Sequence, residues 1–137
     1  ARPSNIDYKL SDGRLMLRQP GYSLEPHVDP RRSILTVLMY MGTSDGSENH
    51  GTKLFASDRD IPLKYSGIYY PLREGAQCTL VKHVPCRPNS MLVFASRLGI
   101  HGAVIPPNTQ PSTLKRHSYH FFVGINKNKD RASEQYQ

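Results

Sequence analysis

Nowhere in this chain do apolar residues recur convincingly at helical spacing. Short runs rich in Val, Ile, Leu, Tyr and Phe alternate instead with segments broken by Pro and Gly, which supply 11 and 10 of the 137 residues. Punctuation this dense favours strands between turns and works against a helical bundle. The runs predict strands over Arg14–Gln19, Ser23–His27, Ser33–Met41, Thr52–Ala56, Thr79–Val84, Ser90–Ala95, His101–Ile105 and Arg116–Asn126. About eight strands without a long helix imply an all-β sandwich or barrel. The length suits one domain, residues 1–137, with a single core. The start at "ARPSN" without an initiator Met suggests a piece excised from a longer protein.

Two of the runs refine this picture. In "SILTVLMYM" both alternate sets are largely apolar, and in "RHSYHFFVGI" the set Tyr119, Phe121, Val123, Ile125 is apolar as well. A half-exposed strand would show one polar face, so these strands want cover on both sides. The chain has no amphipathic helix to supply it. Elements absent from this chain, or a partner such as a second copy, are therefore expected over the outer face. Two connections are long. Gly42 to Gly51 is polar and reads as a mobile loop, whereas Ser57 to Gln77 carries Tyr65, Tyr69 and Tyr70. Those tyrosines either wall a site or seal one end of the barrel.

The balance of 18 basic against 11 acidic residues gives +7, which favours an anionic ligand. The cations are scattered, with no basic stripe interleaved with aromatics, so a nucleic-acid partner is allowed but not favoured. No apolar run reaches the length of a membrane span. Cys78 and Cys86 bracket an extended segment that a disulfide would not close over, so free thiols in a reducing cytoplasm are expected.

The chemistry gathers at three places. In a strand, residues two apart share a side, so His27 and Asp29 of "PHVDP" can aim an imidazole and a carboxylate at one point. By itself this pair is a weak motif, and a hydrogen-bonded surface pair is the usual outcome. His101 stands between Gly99 and Gly102 at the start of another strand, where glycines allow close backbone approach. Two histidines and one carboxylate can hold a ferrous ion on one face and leave coordination positions open. Arg116 and Ser118, two apart on the last strand, offer a fork and a hydroxyl for a carboxylate. Of the other histidines, His50 reads as solvated and His120 as a satisfied core residue, although it shares the face of Arg116 and Ser118. Arg97 reads equally as a surface residue or as one that reaches substrate.

Taken in order, "GYSLEPHVD", "GTKLF", "NSMLVFASRLGIHGAV" and "RHS" resemble the motifs of the Fe(II)/2-oxoglutarate-dependent dioxygenases, a superfamily of prolyl-hydroxylase-like enzymes. The likeness runs from about Leu17 to Val123. It implies a double-stranded β-helix, or jelly-roll, core. It implies Fe(II) held by His27, Asp29 and His101, and 2-oxoglutarate held by Arg116 with Ser118. It further implies O₂ as oxidant, with ascorbate a compatible reductant, and a hydroxylation that releases succinate and CO₂. Many relatives have a tyrosine three residues before the glycine matching Gly21, where this chain has Arg18. Arg18 and Tyr22 are thus further candidates for the cosubstrate wall. The substrate is open, with a small molecule or a peptidyl side chain favoured. Other readings are a metal-binding cupin-like isomerase or epimerase, and a basic jelly-roll binding module without oxygenase activity.

Overall fold

A computed structural model describes residues 7–43 and 46–125. It contains eight strands, β1 (Tyr8–Arg18), β2 (Ser23–His27), β3 (Ser33–Thr43), β4 (Thr52–Ser57), β5 (Cys78–Val84), β6 (Ser90–Ala95), β7 (Ile100–Val104) and β8 (Arg116–Ile125). They form two antiparallel sheets of four, in the orders β1-β8-β3-β6 and β2-β7-β4-β5. This is the jelly-roll arrangement expected of the sequence. Leu38, Tyr40 and Phe122 from the first sheet and Ile100 and Ala103 from the second are buried in the core.

The differences from expectation are local. Strand β1 begins at Tyr8 rather than Arg14. Asp12 and Gly13 form a bulge between Ser11 and Arg14, with Asp12 at φ 56°, and the ladder to β8 continues on either side. Asn126, the predicted end of β8, lies outside the described residues. The connection read as a mobile loop includes a single 3-10 turn, Ser47–His50, followed by Gly51. A Cβ at Gly51 would sit 1.8 Å from the Val84 carbonyl oxygen, so only glycine lets this segment reach β5. A second 3-10 turn, Pro71–Glu74, interrupts the Ser57 to Gln77 connection.

The two-sided apolar pattern of β3 is explained by position. Across the first sheet Leu15, Tyr119, Met39 and Met91 stand side by side in register. They point away from the second sheet, and Leu15 and Met91 are 66% and 60% exposed. No described element covers this face. The thiols of Cys78 and Cys86 are both free. No helix of the described residues is long and apolar enough to cross a membrane.

Candidate functional site

His27 and His101 are Cα partners across the β2–β7 ladder. Directly opposed residues of an antiparallel pair share a face with their side chains close together, so register brings the two imidazoles to a ring separation of 4.2 Å. Gly102 permits the approach of the strands, since a Cβ there would lie 2.7 Å from the Leu24 carbonyl oxygen. Gly99 has a different partner, as the Phe94 ring occupies the space that its side chain would need. The adjacent glycines therefore accommodate a neighbouring strand and a ring, rather than the group that His101 faces. Asp29 follows β2 by two residues, and the three ligand-type atoms of His27, Asp29 and His101 lie within 4.8 Å of one another. All three residues are buried.

The hydrogen bonds determine what those atoms offer. Nδ1 of His27 lies 2.9 Å from the Glu25 carbonyl oxygen, and Nδ1 of His101 lies 3.0 Å from that of Gly99. A carbonyl only accepts, so each Nδ1 carries a proton and Nε2 is the ring atom left to face a metal. Those Nε2 atoms face the two oxygens of Asp29, each at 3.6 Å. Burial, reinforced by the neighbouring His27, pushes His101 down to about 4 and outweighs the attraction of Asp29. At neutral pH His101 is therefore uncharged. Burial would raise the Asp29 carboxyl, but His27, His101 and the Thr36 hydroxyl together hold it below its ordinary value. Two imidazole nitrogens and a carboxylate thus converge, a donor set that fits a divalent cation. The site can hold a metal.

Asp29 is held from behind. The Thr36 hydroxyl donates to its Oδ2 at 2.5 Å and contacts the Ser96 hydroxyl at 2.8 Å. Sequence reading missed both partners. Thr36 had a signal, as a hydroxyl within the apolar run of β3, whereas Ser96 follows that strand's neighbour with nothing to mark it. The long connection closes the site on another side. Val28, between His27 and Asp29, forms an isolated bridge with Tyr69. The Tyr65 hydroxyl donates to the Asp29 carbonyl at 2.9 Å, and the Tyr70 ring lies 5.8 Å from that of His27. The tyrosines of this segment therefore wall the metal-capable triad.

Arg116, Ser118, Arg18 and Tyr22 line one small cavity together with His27 and His101. Arg116 is only 4% exposed. Its Nη1 donates to the His50 carbonyl at 3.0 Å, it interacts with the Cys86 thiol, and its Nε has no partner. Among the described residues no carboxylate pairs with it. Arg18 is its Cα partner across β1–β8, so two guanidinium-bearing residues face one another. Tyr22 supports Arg18 from beneath, with the guanidinium carbon 4.3 Å from the ring centroid. Two apposed cations, one of them deeply buried, are costly without an anion. His120 differs from its reading as a satisfied core histidine, because its Nε2 is buried without a partner and the residue lines the same cavity. The half-buried His50 side chain has no part in the triad; its backbone carbonyl holds Arg116.

No protein-family model matches the chain, and no curated protein sequence does. Among solved structures, the crystal structure of HygX from Streptomyces hygroscopicus, with nickel and 2-oxoglutarate bound, matches at a TM-score of 0.52 and 11% identity. The match covers 90% of this chain and 58% of that one, so this chain spans little more than half of HygX. At that identity the likeness speaks for the fold alone.

Proposed function

We propose that this chain is the core of an Fe(II)- and 2-oxoglutarate-dependent oxygenase that hydroxylates a C–H bond of its substrate. One observation carries the reading: a single cavity joins His27 and His101 of the metal-capable triad to a buried arginine that lacks a carboxylate partner among the described residues. His27, Asp29 and His101 would hold the iron. Arg116 and Ser118 would take the distal carboxylate of 2-oxoglutarate. Arg18, opposite Arg116, would share that carboxylate, with Tyr22 stacked beneath it to fix its direction. The buried charges balance, because a ferrous ion, Asp29, a dianion and Arg116 sum to zero, and the half-buried Arg18 adds one further positive charge. With these groups bound, iron, 2-oxoglutarate and O₂ supply oxidative hydroxylation, converting the C–H to C–OH with release of succinate and CO₂.

The chain's own part is positioning. Thr36 and Ser96 orient the Asp29 carboxylate, and the Glu25 and Gly99 carbonyls set the imidazole tautomers. Tyr65 and Tyr70 narrow the access of water on one side. The nickel and 2-oxoglutarate in HygX support the reading by fold likeness. A reducing compartment would suit both Fe(II) and the free thiols. A cupin-like isomerase would have no use for Arg116 with Ser118, which argues against that alternative.

Anaerobic iron loading followed by desalting tests the ligand assignment. His101→Ala is expected to lose iron, whereas His50→Ala, which leaves the carbonyl to Arg116 in place, is expected to retain it. Equal retention by both variants would overturn the assignment.

A further inference from the structure

A second, larger cleft lies at the end of the barrel where Asp29 leaves β2, and the cosubstrate assignment above does not use it. It measures about 890 Å³, within the range of pockets that hold small organic ligands. The start of β1, the β2–β3 turn, the end of β6, the end of β8 and the Ser57 to Gln77 connection all contribute to it. The side chain of Tyr65 links it to the metal-capable triad, since this residue lines the cleft and its hydroxyl touches the Asp29 backbone.

The charge of the lining is uneven. Lys9, Arg31, Arg32 and Arg97 stand against one carboxylate, Asp12, so four cations less one anion leave +3. Asp12 is already taken by Arg32 at 2.8 Å. Lys9, Arg31 and Arg97 have no carboxylate partner among the described residues; Arg97 reaches only the Leu63 carbonyl, at 3.4 Å. The proposed iron, its diacid, Asp29, Arg116 and Arg18 already sum to +1, so that site offers no anion to these cations. Between them the walls are apolar. Ile34, Ile61, Leu63 and Leu98 line the cleft, and Leu63 and Leu98 stand largely in solvent. At its inner wall Ser33 is buried with a hydroxyl that has no partner.

We infer that this cleft binds an organic anion, a carboxylate or phosphate monoester with an apolar body. Its oxyanion would meet Arg31, Arg97 and Lys9, and its hydrocarbon part would lie against Ile61, Leu63 and Leu98. That the occupant is the oxygenase's substrate rests on the function proposed above, with Tyr65 marking the side from which it approaches the metal. Cations alone would select inorganic phosphate as readily, and apolar walls alone would select a neutral hydrocarbon. The combination selects a molecule that is both.

Amide-resolved NMR of the metal-loaded protein tests this with three probes: hexyl phosphate, inorganic phosphate and hexanol. Hexyl phosphate is expected to give saturable shifts at Ser33, Ile34, Leu63 and Arg97, at least about tenfold tighter than either other probe. The double variant R31A/R97A, which removes two exposed side chains, is expected to weaken hexyl phosphate by about tenfold or more. Its 2-oxoglutarate affinity, measured in the same samples, is expected to stay unchanged. Hexanoate separates the two oxyanion sources by its affinity relative to hexyl phosphate, and saturable binding of either at these amides supports the cleft. No saturable response at these amides, or one that R31A/R97A leaves intact, would overturn the inference. A wild-type protein that answers hexyl phosphate but not 2-oxoglutarate would instead sink the proposed function, and would leave the cleft as an anion site.

Discussion

Replacing Arg116 by Met should make the metal-free protein more stable while removing its grip on 2-oxoglutarate. Arg116 is 4% exposed, its Nη1 donates to a neutral carbonyl, and its Nε has no partner. Holding such a charge out of water costs several kcal/mol. The bond to the His50 carbonyl returns about 1.5–3 kcal/mol, and Met supplies an unbranched apolar stem in place of the arginine's. The difference favours the variant by about 1–2 kcal/mol, or about 4–8 °C in Tm for a domain of this length. Thermal denaturation of both proteins, free of metal and ligand, reads this directly. Calorimetric titration of 2-oxoglutarate into the metal-loaded proteins reads the other half, with an expected loss of about thirtyfold or more. Saturating 2-oxoglutarate should raise the wild-type Tm and leave that of the variant almost unmoved. If Arg116→Met melts several degrees lower, or binds the diacid as well as wild type, then Arg116 is a structural residue and the anion-site reasoning fails.

Thr36→Val keeps the shape and deletes the hydroxyl behind Asp29, so metal affinity measured against a chromophoric chelator should fall by about tenfold with the fold intact; unchanged affinity would show that the contact orients nothing. In the metal-free protein His101 sits at about 4 against an ordinary 6.5. The unfolded chain therefore binds a proton first, and stability is lost as pH falls through that window, by about 3 kcal/mol in all. Urea titrations across that range should show the slope, and His101→Gln should flatten it; an unaltered slope would place its origin elsewhere. The exposed row of Leu15, Tyr119, Met39 and Met91 should drive concentration-dependent self-association of this chain. Sedimentation of M39K/M91K should show a monomer, and a wild-type protein that is monomeric at high concentration would contradict this.

Much of the architecture was legible because strands and turns are local. The apolar alternations of β3 and β8 and the prolines at their borders mark those strands whatever they pair with. The first half of β1 was not legible, because Asp12-Gly13 carries turn chemistry and only its partner β8 turns it into a bulge. The turns at Ser47–His50 and Pro71–Glu74 are too short to show a helical period. At the site, the shared side of His27 and Asp29 follows from a period of two. The opposition of His27 and His101 depends on the register between β2 and β7, which residues far apart in sequence set together. The same limit hides the apposition of Arg18 and Arg116, the unpartnered Nε2 of His120 and the hydroxyl relay from Ser96 through Thr36. Each is a property of pairing, and only the folded chain displays it.

The most direct test of the account is the visible spectrum of the anaerobic protein with Fe(II), before and after 2-oxoglutarate is added. Chelation of iron by the diacid in this cavity predicts a weak charge-transfer band that saturates with 2-oxoglutarate, and that is missing in His101→Ala and weakened in Arg116→Met. A folded, iron-loaded wild-type protein whose spectrum 2-oxoglutarate leaves unchanged would contradict the central claim.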